Sequence, residues 1–281
     1  MQALAIIAAM VVSMIFAAVV ESFLSRALSI SEAVTTNLTS IVEYLLMFGL
    51  TTCIAVSTRL RLFHVFGASP SWSLLPVAAL YALLLLGFTC GENFIEVYIV
   101  SQRAPAFAYS YWHFHSKPYI LDVSWLGYVL LISAQFILGP FVEEFVFRGL
   151  LFRMWTERYG MLVGIFLSSI LFTALHYSRH YDVSTFIFAV AMCLLYIRYQ
   201  SLWVNVFVHG AFNALAFVIQ FLLNAHWQKT VSQLGVLASW KPDMVMFITS
   251  TPVLVLLAVK YWPRDWPAAL DARNEVVHAD A

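Results

Sequence analysis

Charged side chains are scarce in this sequence: they make up 11% of its 281 residues, where soluble domains carry about a quarter. With a formal net charge of +0 and no basic run, the chain has nothing with which to hold nucleic acid. Cysteine is rare as well. Cys53, Cys90 and Cys193 stand far apart in apolar surroundings without C-x-x-C spacing, which argues against a disulfide framework or a cysteine-type structural zinc site. No internal repeat or low-complexity linker divides the chain. It reads as a single membrane domain over residues 1–266 with a short polar tail over 267–281.

What the chain has in abundance is apolar length. It is 62% hydrophobic with a mean hydropathy of +0.84, and a membrane span needs about 20 apolar residues. On that criterion the fold class is all-α, a polytopic transmembrane helical bundle of about eight spans: 2–20, 38–56, 73–90, 125–155, 161–178, 183–198, 201–223 and 244–262. Residues 2–20 lack the basic n-region and the A-x-A-like site of a signal peptide, so they count as the first span. The fourth stretch is too long for one bilayer crossing, and Gly139-Pro140 within it predicts a break or kink. Eight spans place both termini on one side, together with nine of the fifteen basic residues. The positive-inside rule then makes that side cytoplasmic. Loop 91–123 faces the other way. Its stretch SQRAPAFAYSYWHFHSKPY predicts tryptophans and tyrosines in the membrane interface, with contact to a substrate as the alternative, while His113 and His115, two residues apart, share a face only in an extended segment and suggest no metal site.

Against this background the ionisable residues inside the spans need a reason, since each costs about 2.5–3.5 kcal/mol to insert. The stretch GPFVEEFVFRG, 139–149, holds three. At 100° per residue, Arg148 lies about 40° from Glu144 but about 140° from Glu143. Glu144 and Arg148 are therefore placed to pair. Glu143 is left without that counter-ion, and a desolvated carboxylate gains proton affinity, as a general base or acid requires. The alternative is one ion network that only locks helices together. In FTALHYS, 172–178, His176 lies sixteen residues beyond Gly160, whereas Glu143 lies seventeen before it. Two antiparallel helices joined at that glycine would hold the two at one depth. His180, beside Arg179 and Asp182, reads as a loop-end residue. In VHGAFNAL, 208–215, His209 and Asn213 share a face four residues apart, and Gly210 and Ala211 allow close helix approach. That face offers two donors, suited to an oxyanion hole or to a plain interhelical contact.

The three motifs together, Glu143-Glu144 with Arg148, Phe172 with His176, and His209 with Asn213, resemble the glutamate-type intramembrane proteases of the type II CAAX prenyl endopeptidase and bacteriocin-processing (CPBP) family over about residues 125–225. The resemblance implies that Glu143 and His176 activate water, that His209 and Asn213 stabilise the oxyanion, and that Glu144 and Arg148 brace the site. It further implies a protein or peptide substrate, with a C-terminal processing signal among the candidates, and an integral protein of a bacterial inner membrane. No cofactor is expected. A His₂Glu zinc centre built from the same side chains stays open, as do a non-catalytic scaffold, chaperone or immunity protein of the same fold and a proton-coupled transporter.

Overall fold

The computed structural model describes residues 2–27, 30–58, 65–67, 74–115, 124–176, 183–222 and 228–262; His180 and the 267–281 tail lie outside them, as does the His115 side chain. The described chain is built from helices: α1 (Gln2–Ala27), α2 (Glu32–Ser57), α3 (Leu75–Ser101), α4 (Pro105–His115), α5 (Trp125–Tyr159), α6 (Met161–Leu175), α7 (Val183–Tyr199), α8 (Leu202–Leu222) and α9 (Lys241–Tyr261). Short helical turns at Val231–Leu234 and Leu237–Trp240 precede α9. Helices answer to all eight expected spans. Among the described residues six are long and apolar enough to cross a membrane, whereas α6 and α7, at 15 and 17 residues, are apolar but shorter. The protein is an all-α, polytopic, integral membrane bundle.

Its side chains are distributed as lipid demands. Leu4, Val12, Ile15, Val19 and Phe23 of α1, and Val245, Ile248, Leu256 and Val259 of α9, are exposed; the outer helices thus turn bulky apolar groups outward, where a water-soluble bundle would place charge. Every residue from Phe145 to Phe152 is buried. A helix buried on all sides is a central one, and α5 is that axis. It is flanked by α2, α6, α7 and α8.

The hairpin between α5 and α6 turns at Gly160, whose φ of +87° is a conformation that glycine adopts without a Cβ penalty. Of the break or kink expected at Gly139-Pro140, the break does not occur. Instead α5 runs continuously, with its pitch widened to a π-helix over Ile132–Leu138 and again over Phe145–Phe152. Proline lacks an N–H and crowds the carbonyl four residues back, and a π register relieves both problems without ending the helix. Ser124 caps α5, its Oγ accepting from the Gly127 N–H at 3.0 Å.

The 91–123 region also departs from its sequence reading. Helix α3 continues eleven residues past Cys90, to Ser101, and α4 follows it. Trp112 is 4% exposed and meets Trp240 edge-on, with ring centroids 4.9 Å apart. This tryptophan packs against protein and is not turned outward, because Trp240, Phe94 and Leu234 offer it a buried apolar seat. Lys229 lies over the Trp240 ring at 4.3 Å, a cation–π placement. Burial pulls its ammonium down to about 8, against the opposing charge of Asp243. His113 stacks on Tyr109.

Candidate active site

Four helices converge on the two adjacent glutamates of α5. Glu144 and Arg148 are fully buried and joined at 3.0 Å, Oε1 to Nη1. Four residues apart on one helix, they face each other. The same Oε1 accepts from His209 Nδ1 at 2.8 Å, and Oε2 accepts from Asn205 Nδ2 at 3.2 Å. Arg148 Nη2 also donates to the Ala189 carbonyl of α7 at 3.1 Å, and its guanidinium lies 4.7 Å from the Phe172 ring centroid. A buried carboxylate with this many donors is an ionised one. Glu144 therefore does more than brace Arg148: it ties α5 to α8 and fixes an imidazole.

Glu143 points elsewhere. Its Oε1 accepts from the Tyr44 hydroxyl of α2 at 3.0 Å. Its Oε2 has no hydrogen-bond partner among the described residues and lies 3.7 Å from His176 Nε2 and 3.8 Å from His209 Nε2. Those separations exceed hydrogen-bond length. The two histidines are oriented by opposite means. His176 closes α6, with Nδ1 at 2.8 Å from the Phe172 carbonyl and its ring stacked on Phe172 at 4.2 Å. Because a carbonyl only accepts, Nδ1 carries a proton, and Nε2 is the ring nitrogen turned toward Glu143. In His209 the ionised Glu144 likewise holds the proton on Nδ1. Side-chain exposure rises from 0% at Glu144 to 14% at Glu143 and 30% at His176.

Asn213 sits one turn beyond His209 on α8, but its Nδ2 donates to the Gln135 carbonyl at 2.9 Å. One amide hydrogen is thereby engaged and one left. The close approach that permits this occurs at Gly210, where a Cβ would come within 2.6 Å of the Phe136 carbonyl oxygen. Among the described residues no group of three or more His, Cys, Asp or Glu side chains is disposed to hold a metal ion.

Two members escaped the sequence reading. Asn205 precedes His209 by four residues, extending the same polar stripe, and that spacing was available as a signal. Tyr44 gave none beyond being a polar group in an apolar span, since its meeting with Glu143 joins residues 99 apart.

The helical bundle thus holds two adjacent carboxylates within its apolar interior, one fully buried and charge-locked, the other part-buried and turned toward two imidazoles. Residues 124–215 match the family model described as type II CAAX prenyl endopeptidase, Rce1-like, so the likeness to the CPBP family is shown over the stretch that carries every motif residue. The chain is also similar to YdiL of Bacillus subtilis (strain 168), whose designation as a membrane peptidase is itself provisional. Identity is 26% over 91 residues, 32% of this chain and 37% of YdiL, so the match spans little more than a third of that relative. No solved structure matches the chain.

Proposed function

We propose that the protein is an intramembrane endopeptidase in which Glu143 and His176 activate water against a peptide bond. The observation that carries this reading is the position of Glu143 Oε2, without a donor among the described residues and facing Nε2 of both His176 and His209. A water between these atoms gives one proton to Oε2 while its oxygen attacks the peptide carbonyl carbon. The displaced carbonyl pair becomes an oxyanion. The remaining Asn213 amide hydrogen stabilises it, as does His209 entering the step as an imidazolium already protonated on Nε2 from solvent, with Glu144 supplying the counter-charge. Glu143 then passes its proton to the amine nitrogen as the C–N bond breaks, which leaves a new carboxyl and a new amine. Tyr44 holds the other carboxylate oxygen and so aims Oε2.

Family likeness supports a substrate that is a membrane-associated or lipid-modified protein or peptide, with cleavage near a C-terminal processing signal. It also supports placement in a bacterial inner membrane, and the basic residues support cytoplasmic termini. Reporters fused after Arg158 and after Ala281 should both signal cytoplasm, and one placed at Ser110 should not; a cytoplasmic signal at Ser110 would refute the eight-span arrangement.

The activity is tested by mass spectrometry of membrane peptides from cells carrying the wild type or Glu143→Gln. Fragments that depend on Glu143 are expected and would give substrate and cleavage site together; identical peptide sets would sink the reading. One observation favours a zinc mechanism as the alternative: a carboxylate holding Nδ1 of His209 is the arrangement that also orients metal-binding histidines. On the water-activation reading, fragment formation in isolated membranes persists under strong chelators. Loss on chelation, restored by zinc and not by magnesium, would transfer the assignment to the metal.

A further inference from the structure

The amide of Asn213 is held by a backbone carbonyl, and the reason that carbonyl is available lies in the proline next to it. In an α-helix the Gln135 carbonyl would accept from the N–H of residue 139, and in a π-helix from that of residue 140. Neither donates here. The Gly139 N–H goes to the Ala134 carbonyl, one register further back, and residue 140 is a proline, which has no N–H. A buried carbonyl without a partner is costly, and Asn213 Nδ2 supplies the missing donor at 2.9 Å. Gly210 lets α8 come close enough for this to happen.

We infer that Pro140 is a positioning residue for the reaction: by withholding its N–H within the π-helical turn, it reserves the Gln135 carbonyl for Asn213 and so aims the remaining amide hydrogen at the developing oxyanion. This rests on the proposed role of Asn213 as an oxyanion donor. The effect is carried by a missing atom, since any other residue at 140 would bring an N–H to the place the carboxamide now occupies.

The usual consequence of replacing a proline inside a helix is greater stability. A purely structural role for the π turn therefore predicts that Pro140→Ala leaves function intact, or alters function and stability together. The inference predicts that the two separate. In Pro140→Ala the new N–H competes for the Gln135 carbonyl, thermal stability holds or rises, and Glu143-dependent fragments fall at least tenfold, a share of the ~10²–10³-fold that losing an oxyanion donor costs. Combined with Asn213→Ala, the proline substitution should cause no further loss, because both act through one group.

A direct readout is the side-chain ¹⁵N–¹H pair of Asn213 in asparagine-labelled protein, assigned by its absence from Asn213→Ala. One proton should resonate downfield in the wild type and return toward the free-amide position in Pro140→Ala. Pro140→Ser restores the same N–H with a different side chain and serves if the alanine variant fails to accumulate. If Asn213→Ala leaves the fragments unchanged, the oxyanion role falls and this inference with it. If Asn213→Ala removes them while Pro140→Ala keeps both the fragments and the downfield proton, the proline's role alone is refuted.

Discussion

Glu143→Gln is expected to lower peptide cleavage by about 10²–10⁴-fold, the range associated with removing a general acid–base group, while leaving thermal stability essentially unchanged. The substitution is nearly isosteric. A glutamine carbonyl still accepts from the Tyr44 hydroxyl that now bonds Oε1 at 3.0 Å. What changes is the atom opposite the two imidazoles, where an amide NH₂ replaces the Glu143 oxygen that has no donor among the described residues. That group cannot take a proton from water, and its N–H bonds can occupy the Nε2 lone pairs of His176 and His209. Since no counter-ion of Glu143 is lost, folding has little to register. The checks are fragment abundance and a melting curve in the same detergent. A variant that melts much earlier than wild type would show that Glu143 belongs to the structural network, and the catalytic assignment would pass to Glu144.

Glu144→Gln should do the reverse to stability and damage activity as well. Removing one partner of a buried ion pair costs about 3–5 kcal/mol, because the other charge stays behind uncompensated. Here the stranded group is Arg148, which is fully buried. His209 Nδ1 is left at the same time with a neutral amide oxygen in place of a carboxylate, a weaker hold on its proton. Melting temperature, expression and cleavage are all expected to fall. Adding Arg148→Met removes the orphaned charge and should recover part of the stability. It should not recover all of it, since His209 and Asn205 still face a glutamine. It should not restore cleavage. The double-mutant cycle isolates the pair's coupling; a coupling near zero would overturn the ion-pair account of this site.

These contrasts follow from positions that were partly readable in the sequence. The spans were legible because a bilayer leaves a coarse mark, long apolar runs that only helices can satisfy. The facing of Glu144 and Arg148 was legible too, as a local matter of four residues on one turn. The π widening around Pro140 was not, because a proline in an apolar run signals trouble for the helix without saying whether the chain breaks, bends or changes register. Nor was the seat of Trp112, for a related reason. An aromatic in a loop between spans is compatible with the interface, and only Trp240, more than a hundred residues later, gives it protein to pack against. Tyr44 was missed because its contact is wholly tertiary. Asn205 was within reach, and a scan for polar residues at fourfold spacing around His209 would have found it.

The brevity of α6 and α7 bears on the membrane itself. At 1.5 Å per residue, their 15 and 17 helical residues span about 22 and 26 Å, less than the roughly 30 Å of a hydrocarbon core. A bilayer bordering such helices meets them by thinning, at a modest energetic cost for each ångström of mismatch. His176 stands at the end of the shorter one. Such thinning would draw headgroups and their hydration toward the edge of the bundle where His176 lies, the more exposed of the two imidazoles facing Glu143, so hydrophobic mismatch would shorten the path by which water reaches a carboxylate embedded in an oily protein.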